Sequence, residues 1–421
     1  MAFESTTPSL ATNGSIHRNR GIRDVIEHFT PVWFSVNMGT GVVSALLHSY
    51  PYGGNSIILN GFATAFFFLN LVLFCIFLTL TICRYVMFPR LWGLMLRHPV
   101  QSLYIGCFPM GAVTLINSGL TLGYQYWNWG GTTFLYTLWG LWWLDTFVSF
   151  LCCFGLVYVM ITQHEHSMAT FTSAWLLPIV TVIVGSSSGQ LLAAALIPHS
   201  LSNAALTTTF AAFMVILGIS LSLMVLTLYL RRLFIEGLPD AGAVLSSFLP
   251  LGPCGQAGYS LLLAGNNFVA ILPKGNGEVL SDELAGRVLN IICFFCAFVL
   301  WCLTIWWLAC AVFAVIYTVS VGHKLIFKLP FWGIVFPNGV GAILTIQLAT
   351  AMDSAVFRVL GACYAAAVMA LWLLLAVPTA IQVYDKRIFI SPCVLEEKEK
   401  LRIQFEIARQ EPSDLRLDRE K

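Results

Sequence analysis

Ten apolar stretches follow one another along the chain, each long enough to cross a bilayer, and they alternate in character. The odd ones are interrupted by Pro and Gly and carry hydroxyls and amides, whereas the even ones are smoothly apolar. A span needs about 20 apolar residues, and the stretches lie at 31–49, 58–84, 100–122, 132–161, 171–197, 203–230, 241–264, 288–319, 329–351 and 355–384. Lipid offers no partner to a backbone N–H or C=O, so helix-breaking residues persist only where loosened backbone meets protein or a water-filled cavity. The alternation therefore predicts an all-α integral membrane protein. Its ten transmembrane helices form five hairpins, with five kinked inner helices lining a central pore and five outer helices around them.

Composition excludes the soluble classes. Of 421 residues, 58% are hydrophobic and only 10% charged, with a mean hydropathy of +0.81, where a soluble domain carries about 25% charged residues. Most of the twelve cysteines sit inside apolar runs and read as small packing residues rather than a disulfide framework. Residues 1–20 are polar and lack an apolar signal region, so the amino terminus is expected to remain cytosolic. On that reading the Asn13-Gly14-Ser15 glycosylation pattern is a chance match.

The basic residues set the orientation. With the amino terminus inside, nineteen of the twenty-two Lys and Arg fall on the inner side, and the short outer links 50–57 and 123–131 carry none. Both termini are then cytosolic. The expected organisation is a segment 1–21, a transmembrane domain 22–385 and a charged tail 386–421, the tail either a short helix or disordered. The one long outer link, 265–287, holds the acidic residues Glu278, Asp282 and Glu283 and reads as a solvated loop at the pore mouth.

Each odd span carries its own break. The prolines Pro109, Pro178, Pro250, Pro253 and Pro337 stand near the middle of their spans beside glycines, and Pro31 stands at the entrance of the first. Proline removes a backbone hydrogen bond and crowds the preceding turn, which predicts a kink near mid-membrane at each site. Glycine also permits close helix packing, but packing alone gives no reason for the breaks to skip every second helix.

No Lys, Arg, Asp or Glu lies inside an odd span. The candidate path residues are hydroxyls and amides: Asn37, Thr40, Thr114, Asn117, Ser186, Ser187, Ser188, Gln256, Tyr259 and Asn338. Such groups donate to an anion, as do backbone N–H groups freed at a helix break. Their oxygens also suit cations, but the absence of carboxylates favours anions. Fewer than half of them are expected to touch solute, the rest bonding to a neighbouring helix. Asp145, within an even span, is either a proton carrier linked to substrate or a structural bond. An intramembrane hydrolase would need a nucleophile with a His or paired Asp at that depth, and only Asp145 and His48 qualify, on different segments. The chain does not read as an enzyme. His164-Glu165-His166 is a loose metal fragment in an inner link, and no metal, cofactor or nucleic-acid partner is expected.

The segment from Phe29 through Pro31, Asn37, Gly39 and Gly41, together with Phe108-Pro109-Met110-Gly111, Gly252-Pro253-Cys254-Gly255-Gln256 and Phe336-Pro337-Asn338-Gly339, resembles the tellurite-resistance and dicarboxylate transporter family. The resemblance runs from about residue 22 to 385 and is strongest to its fungal sulfite efflux pumps. It implies a ten-helix fold around a central anion path, one pore in each protomer, and a homo-oligomer, a trimer by likeness to the channel and bacterial members, although a dimer remains open. It also implies a Phe on the ninth helix that occludes the pore. Phe336 takes that place as gate here, with Phe108 a second candidate. The implied function is a plasma-membrane transporter exporting a small inorganic anion, sulfite or bisulfite, the alternatives being a proton-coupled malate permease or a less selective anion channel. The long amino-terminal arm of the plant channels is lacking, which leaves control by a kinase acting on such an arm without a substrate.

Overall fold

The computed structural model describes residues 21–53, 56–165, 167–274 and 283–410. The Asn13-Gly14-Ser15 match, His166, Glu278 and Asp282 lie outside the described residues. In chain order the α-helices are α1 (Ile22–Glu27), α2 (Phe34–His48), α3 (Ile57–Met87), α4 (Arg90–Arg97), α5 (Cys107–Ser118), α6 (Gly131–Phe150), α7 (Val157–Gln163), α8 (Leu177–Leu196), α9 (Leu201–Glu236), α10 (Leu251–Ile271), α11 (Glu283–Ser320), α12 (Val335–Ala351), α13 (Ala355–Tyr384) and α14 (Pro392–Gln410). Among the described residues there is no strand.

Eight helical segments among the described residues are long and apolar enough to cross a membrane: Ile57–Met87, Ser102–Tyr126, Gly131–Gln163, Ser173–Leu196, Leu201–Glu236, Glu283–Ser320, Leu329–Ala351 and Ala355–Tyr384. The stretches expected at 31–49 and 241–264 are helical too, as α2 and α10. Their Asn, Gln, Ser and Gly side chains keep them less apolar than the eight.

The interrupted helices lie inside. The most apolar windows of Ser173–Leu196 and Leu329–Ala351 are 89% buried, and that of Ser102–Tyr126 is 67% buried, against 17–39% for the five smooth spans. Helix α2 packs on α5, α5 on α8, α8 on α10, α10 on α12, and α12 back on α2, which closes a ring. Each ring member also packs on the long helix that follows it: α3, α6, α9, α11 and α13 respectively.

Close approach within the ring depends on glycine. A Cβ on Gly41 would stand 2.3 Å from Thr114 Cβ, and one on Gly255 would stand 3.1 Å from the backbone nitrogen of Gly341. These contacts bring α2 against α5 and α10 against α12 at nearly backbone distance.

The prolines stand where each ring helix changes type. Each ring helix begins as a 3-10 turn, at Pro31–Trp33, Ser102–Gly106, Ser173–Leu176, Val244–Phe248 and Leu329–Ile334, and then becomes α-helical. Pro178 is the second residue of α8, while Pro109, Pro253 and Pro337 are each the third residue of α5, α10 and α12, and Pro250 is the N-cap of α10. In the first α-helical turn the missing proline N–H leaves no i→i−4 bond broken in the helix interior. The breaks are thus changes of helix type, from 3-10 to α, within each span. Among the described residues the proline inside a helix is Pro378 of α13.

Packing extends past residue 385. Ile388, Phe389, Ser391, Cys393 and Val394 are buried, and Phe389 stacks on Trp33 with ring centroids 5.3 Å apart. Arg84 of α3 is fully buried and donates to the Phe29 carbonyl and, at 3.2 Å, to Ser391 Oγ. Ion pairs from Lys398 to Glu27 and from His98 to Glu396 hold α14 beside α1 and α4. All twelve cysteines are free thiols.

Candidate functional site

Two cavities lie inside the ring. The first, about 320 Å³, sits where the ring helices begin and is bordered by Ser35, Cys107, Leu177, Gly252 and Pro337 from the five first turns. The second, about 280 Å³, lies toward their carboxyl ends and is bordered by Thr114, Asn117, Gln256, Tyr259, Gln347 and His48. Phe336 borders both, and it is the one residue they share. It is buried, at the second position of α12.

The chambers differ in chemistry. The first is walled mainly by Met38, Met110, Val180, Leu249, Phe331 and Trp332, with Lys328 at its rim. The second sets amides, hydroxyls and one imidazole, that of His48, among apolar residues such as Val42, Val184, Leu191, Val340 and Ile343. Among the described residues no Asp or Glu borders either chamber. With all five ring helices presenting amino-terminal turns to the first chamber, their dipoles add positive potential to that of the Lys328 ammonium. A small anion suits this passage, and a cation does not.

Of the ten expected path residues, Thr114, Asn117, Gln256 and Tyr259 border the second chamber. Asn37, Thr40, Ser186 and Asn338 hold the ring to the helices behind it. Asn37 Nδ2 donates to Asn70 Oδ1 at 3.0 Å, and Asn70 Nδ2 donates to Thr114 Oγ1 at 2.9 Å, which links α2, α3 and α5. Thr40 accepts from Trp372 Nε1 at 3.1 Å. Ser186 donates to the Ala211 carbonyl at 2.7 Å and lies 2.6 Å from Ser260 Oγ, while Ser187 accepts from the Gln256 amide and so fixes it at the chamber wall. Asn338 donates to the Ile334 carbonyl at 2.7 Å and accepts from Tyr364 at 3.0 Å, bracing the turn that carries Phe336. Ser188 is fully buried and borders neither chamber.

Phe108 is packed edge-on to Phe34 at 5.1 Å and stacked on Phe74 at 5.8 Å, and it borders neither chamber. Asp145 lies buried on α6 facing Gly185 of α8, also outside both. His164 Nε2 bonds the Leu96 carbonyl at 2.8 Å. Two ionisable residues at the chambers, Lys328 and His48, were not among the expected path residues. Lys328 is the N-cap of the 3-10 lead of that span, eight positions before Phe336.

Residues 28–380 match the family of voltage-dependent anion channels, SLAC1. The chain belongs to this family. It is therefore a multi-pass membrane anion transporter, of a family of transporters and channels rather than enzymes. The chain is 34% identical over 378 residues to the sulfite efflux pump SSU1 of Arthroderma otae, covering 89% of this chain and 96% of that protein. It is 33% identical over 378 residues to the SSU1 of Trichophyton rubrum, with the same coverage of 89% and 96%. The malic acid transport protein of Schizosaccharomyces pombe is 23% identical over 353 residues, covering 83% of this chain and 77% of that one. The resemblance noted in the sequence motifs is thus that of the family itself.

Proposed function

We propose that this family member exports sulfite or bisulfite from the cytosol across the plasma membrane. The observation that supports the reading is the pair of chambers that share Phe336 and, among the described residues, are bordered by no carboxylate, with Lys328 at one and His48 at the other. In this reading α2 and α10 cross the membrane with the eight apolar spans, giving ten crossings arranged as five hairpins. Both termini face the cytosol, the first chamber opens inward, and each protomer of a homo-oligomer, a trimer by family likeness, has its own path. Phe336 is the gate. The sulfite efflux pumps among the relatives support the choice of substrate, since they are the more similar and are covered nearly end to end.

Weak, distributed binding by neutral donors suits passage, because an ion held by a buried guanidinium would leave slowly. A negative cell interior drives anion exit by about 2.3 kcal/mol per charge per 100 mV. Asp145 lies outside both chambers, so export in this reading runs down the electrochemical gradient without a proton carried by that residue. The test is substrate-dependent current from the purified protein in a planar bilayer, with sulfite, malate, nitrate and chloride compared. Sulfite is expected to carry the largest current with no proton gradient. A malate current that exceeds it and depends on a proton gradient would replace this reading with the dicarboxylate carrier.

A further inference from the structure

The second chamber holds one basic side chain, and its geometry fixes which nitrogen meets the solute. His48 ends α2, and its Nδ1 lies 2.7 Å from Asn60 Oδ1. The Asn60 amide is itself oriented, because its Nδ2 donates to the Ser56 carbonyl at 3.2 Å. Asn60 therefore presents an acceptor, so Nδ1 carries the hydrogen and the neutral ring keeps its lone pair on Nε2. Among the described residues Nε2 has no hydrogen-bond partner, and the ring is half-buried where it borders the chamber.

The surroundings carry no competing charge. From α3 the facing group is the neutral Asn60, and the aromatic neighbour is Tyr126, edge-on at 6.3 Å between centroids. Across the chamber stand Thr114 and Asn117 from α5, Gln256 and Tyr259 from α10 and Gln347 from α12. Among the described residues Tyr259 is the other titratable side chain of the wall, and no carboxylate, Lys or Arg borders the cavity. Among the described residues an imidazolium here would be the one full charge bordering the second chamber.

We propose that His48 is a proton-controlled anion-binding residue of the second chamber, holding an oxyanion through Nε2–H when protonated and releasing it when neutral. The ligand class is a small, fully ionised oxyanion. The neutral ring offers such an ion a lone pair, which repels it, while the protonated ring offers a charge-assisted donor. The proton comes from the solution on the side to which the carboxyl ends of the ring helices open. The second chamber thereby reports the acidity of that side to the permeating ion. This inference rests on the anion-path reading above and assigns a residue within it.

The test uses nitrate as the probe, because nitrate does not itself take up a proton in the range where imidazole titrates. The full-length protein is placed in a planar bilayer with pH set separately on the two sides and nitrate kept below saturation. Acidifying the second-chamber side from about pH 8 to about pH 5.5, across the imidazole range, is expected to raise nitrate current from that side. The expected rise is roughly tenfold, the lower end of what a focused charge does to ion arrival. The same change on the first-chamber side is expected to have little effect. His48→Gln is expected to conduct with no pH response. Asn60→Leu, which removes the acceptor that holds Nδ1, is expected to move the response to lower pH, and it tests the inference should the first variant fail to fold. A flat wild-type profile, a His48→Gln response equal to wild type, or an unmoved Asn60→Leu profile overturns the assignment of His48 while leaving the path intact. A wild type that passes no anion at any pH overturns the path reading itself.

Discussion

Trp33 and Phe389 stack with their ring centroids 5.3 Å apart and planes inclined by 26°, joining the lead-in of the first ring helix to the chain beyond the last long helix. Phe29 stacks on the other side of the same indole at 5.6 Å, and Arg84 bonds both the Phe29 carbonyl and Ser391 beneath it. The two ends of the helical domain are thereby fastened to each other at the level where α2 enters the ring. Phe389→Ala should cost about 3 kcal/mol, as for other buried aromatics. A fall in the detergent melting temperature checks this, and a melting temperature equal to wild type would show that the stack carries no stability.

Phe336 is the residue shared by the linings of the two chambers, and Asn338 and Tyr364 brace the turn that carries it. Phe336→Ala should join the two cavities and raise anion leak several-fold, measured as current without applied substrate gradients. Phe108→Ala, which loosens only the contacts to Phe34 and Phe74, should leave that leak unchanged.

Lys328 is the ammonium at the rim of the first chamber. Lys328→Gln should lower anion current from that side by roughly threefold at low ionic strength, the difference shrinking as salt shortens the Debye length. A mutational effect of equal size at low and high salt would show that the lysine acts through packing rather than its field.

Asp145 borders neither chamber. Asp145→Asn should therefore retain wild-type sulfite current and its dependence on pH in the same bilayer assay. Collapse of that current would restore Asp145 as a proton-linked group and favour coupled transport.

The Asn37, Asn70 and Thr114 side chains form a buried polar link across three helices. Replacing Asn70 with Ala should cost about 1 kcal/mol, in line with interhelical hydrogen bonds in membranes. Thermal unfolding in detergent reads this out, with anion selectivity expected to remain that of wild type because Asn70 borders no chamber.

The sequence made the ring visible because proline and glycine mark backbone that lipid will not tolerate, and that mark fell on every second span. It could not tell which way each polar side chain turns. Thr114 and Gln256 reach the chamber, while Thr40 and Asn338, just as polar and on ring helices too, turn outward to Trp372 and Tyr364. Facing depends on the rotation of each helix about its axis, and that rotation is set by partners distant in sequence. The prolines were legible as breaks but not as starts, since a 3-10 lead leaves the same residues in the same order. His48 and Lys328 were obscured for another reason, lying at the ends of their spans where ionisable residues are ordinary. The continuation past residue 385 was hidden by the charges of α14, which give no hint that Phe389 and Val394 are buried just before and within its first turn.

A partition made of one benzyl group has a mechanical corollary. Turning a side chain about its first two torsions takes far less time and disturbs far fewer neighbours than rocking bundles of helices past one another. In the reading proposed for Phe336, the scaffold stays still while the throat opens and shuts, and throughput would follow the residence of a single ring in one rotamer rather than a cycle of inward- and outward-facing shapes.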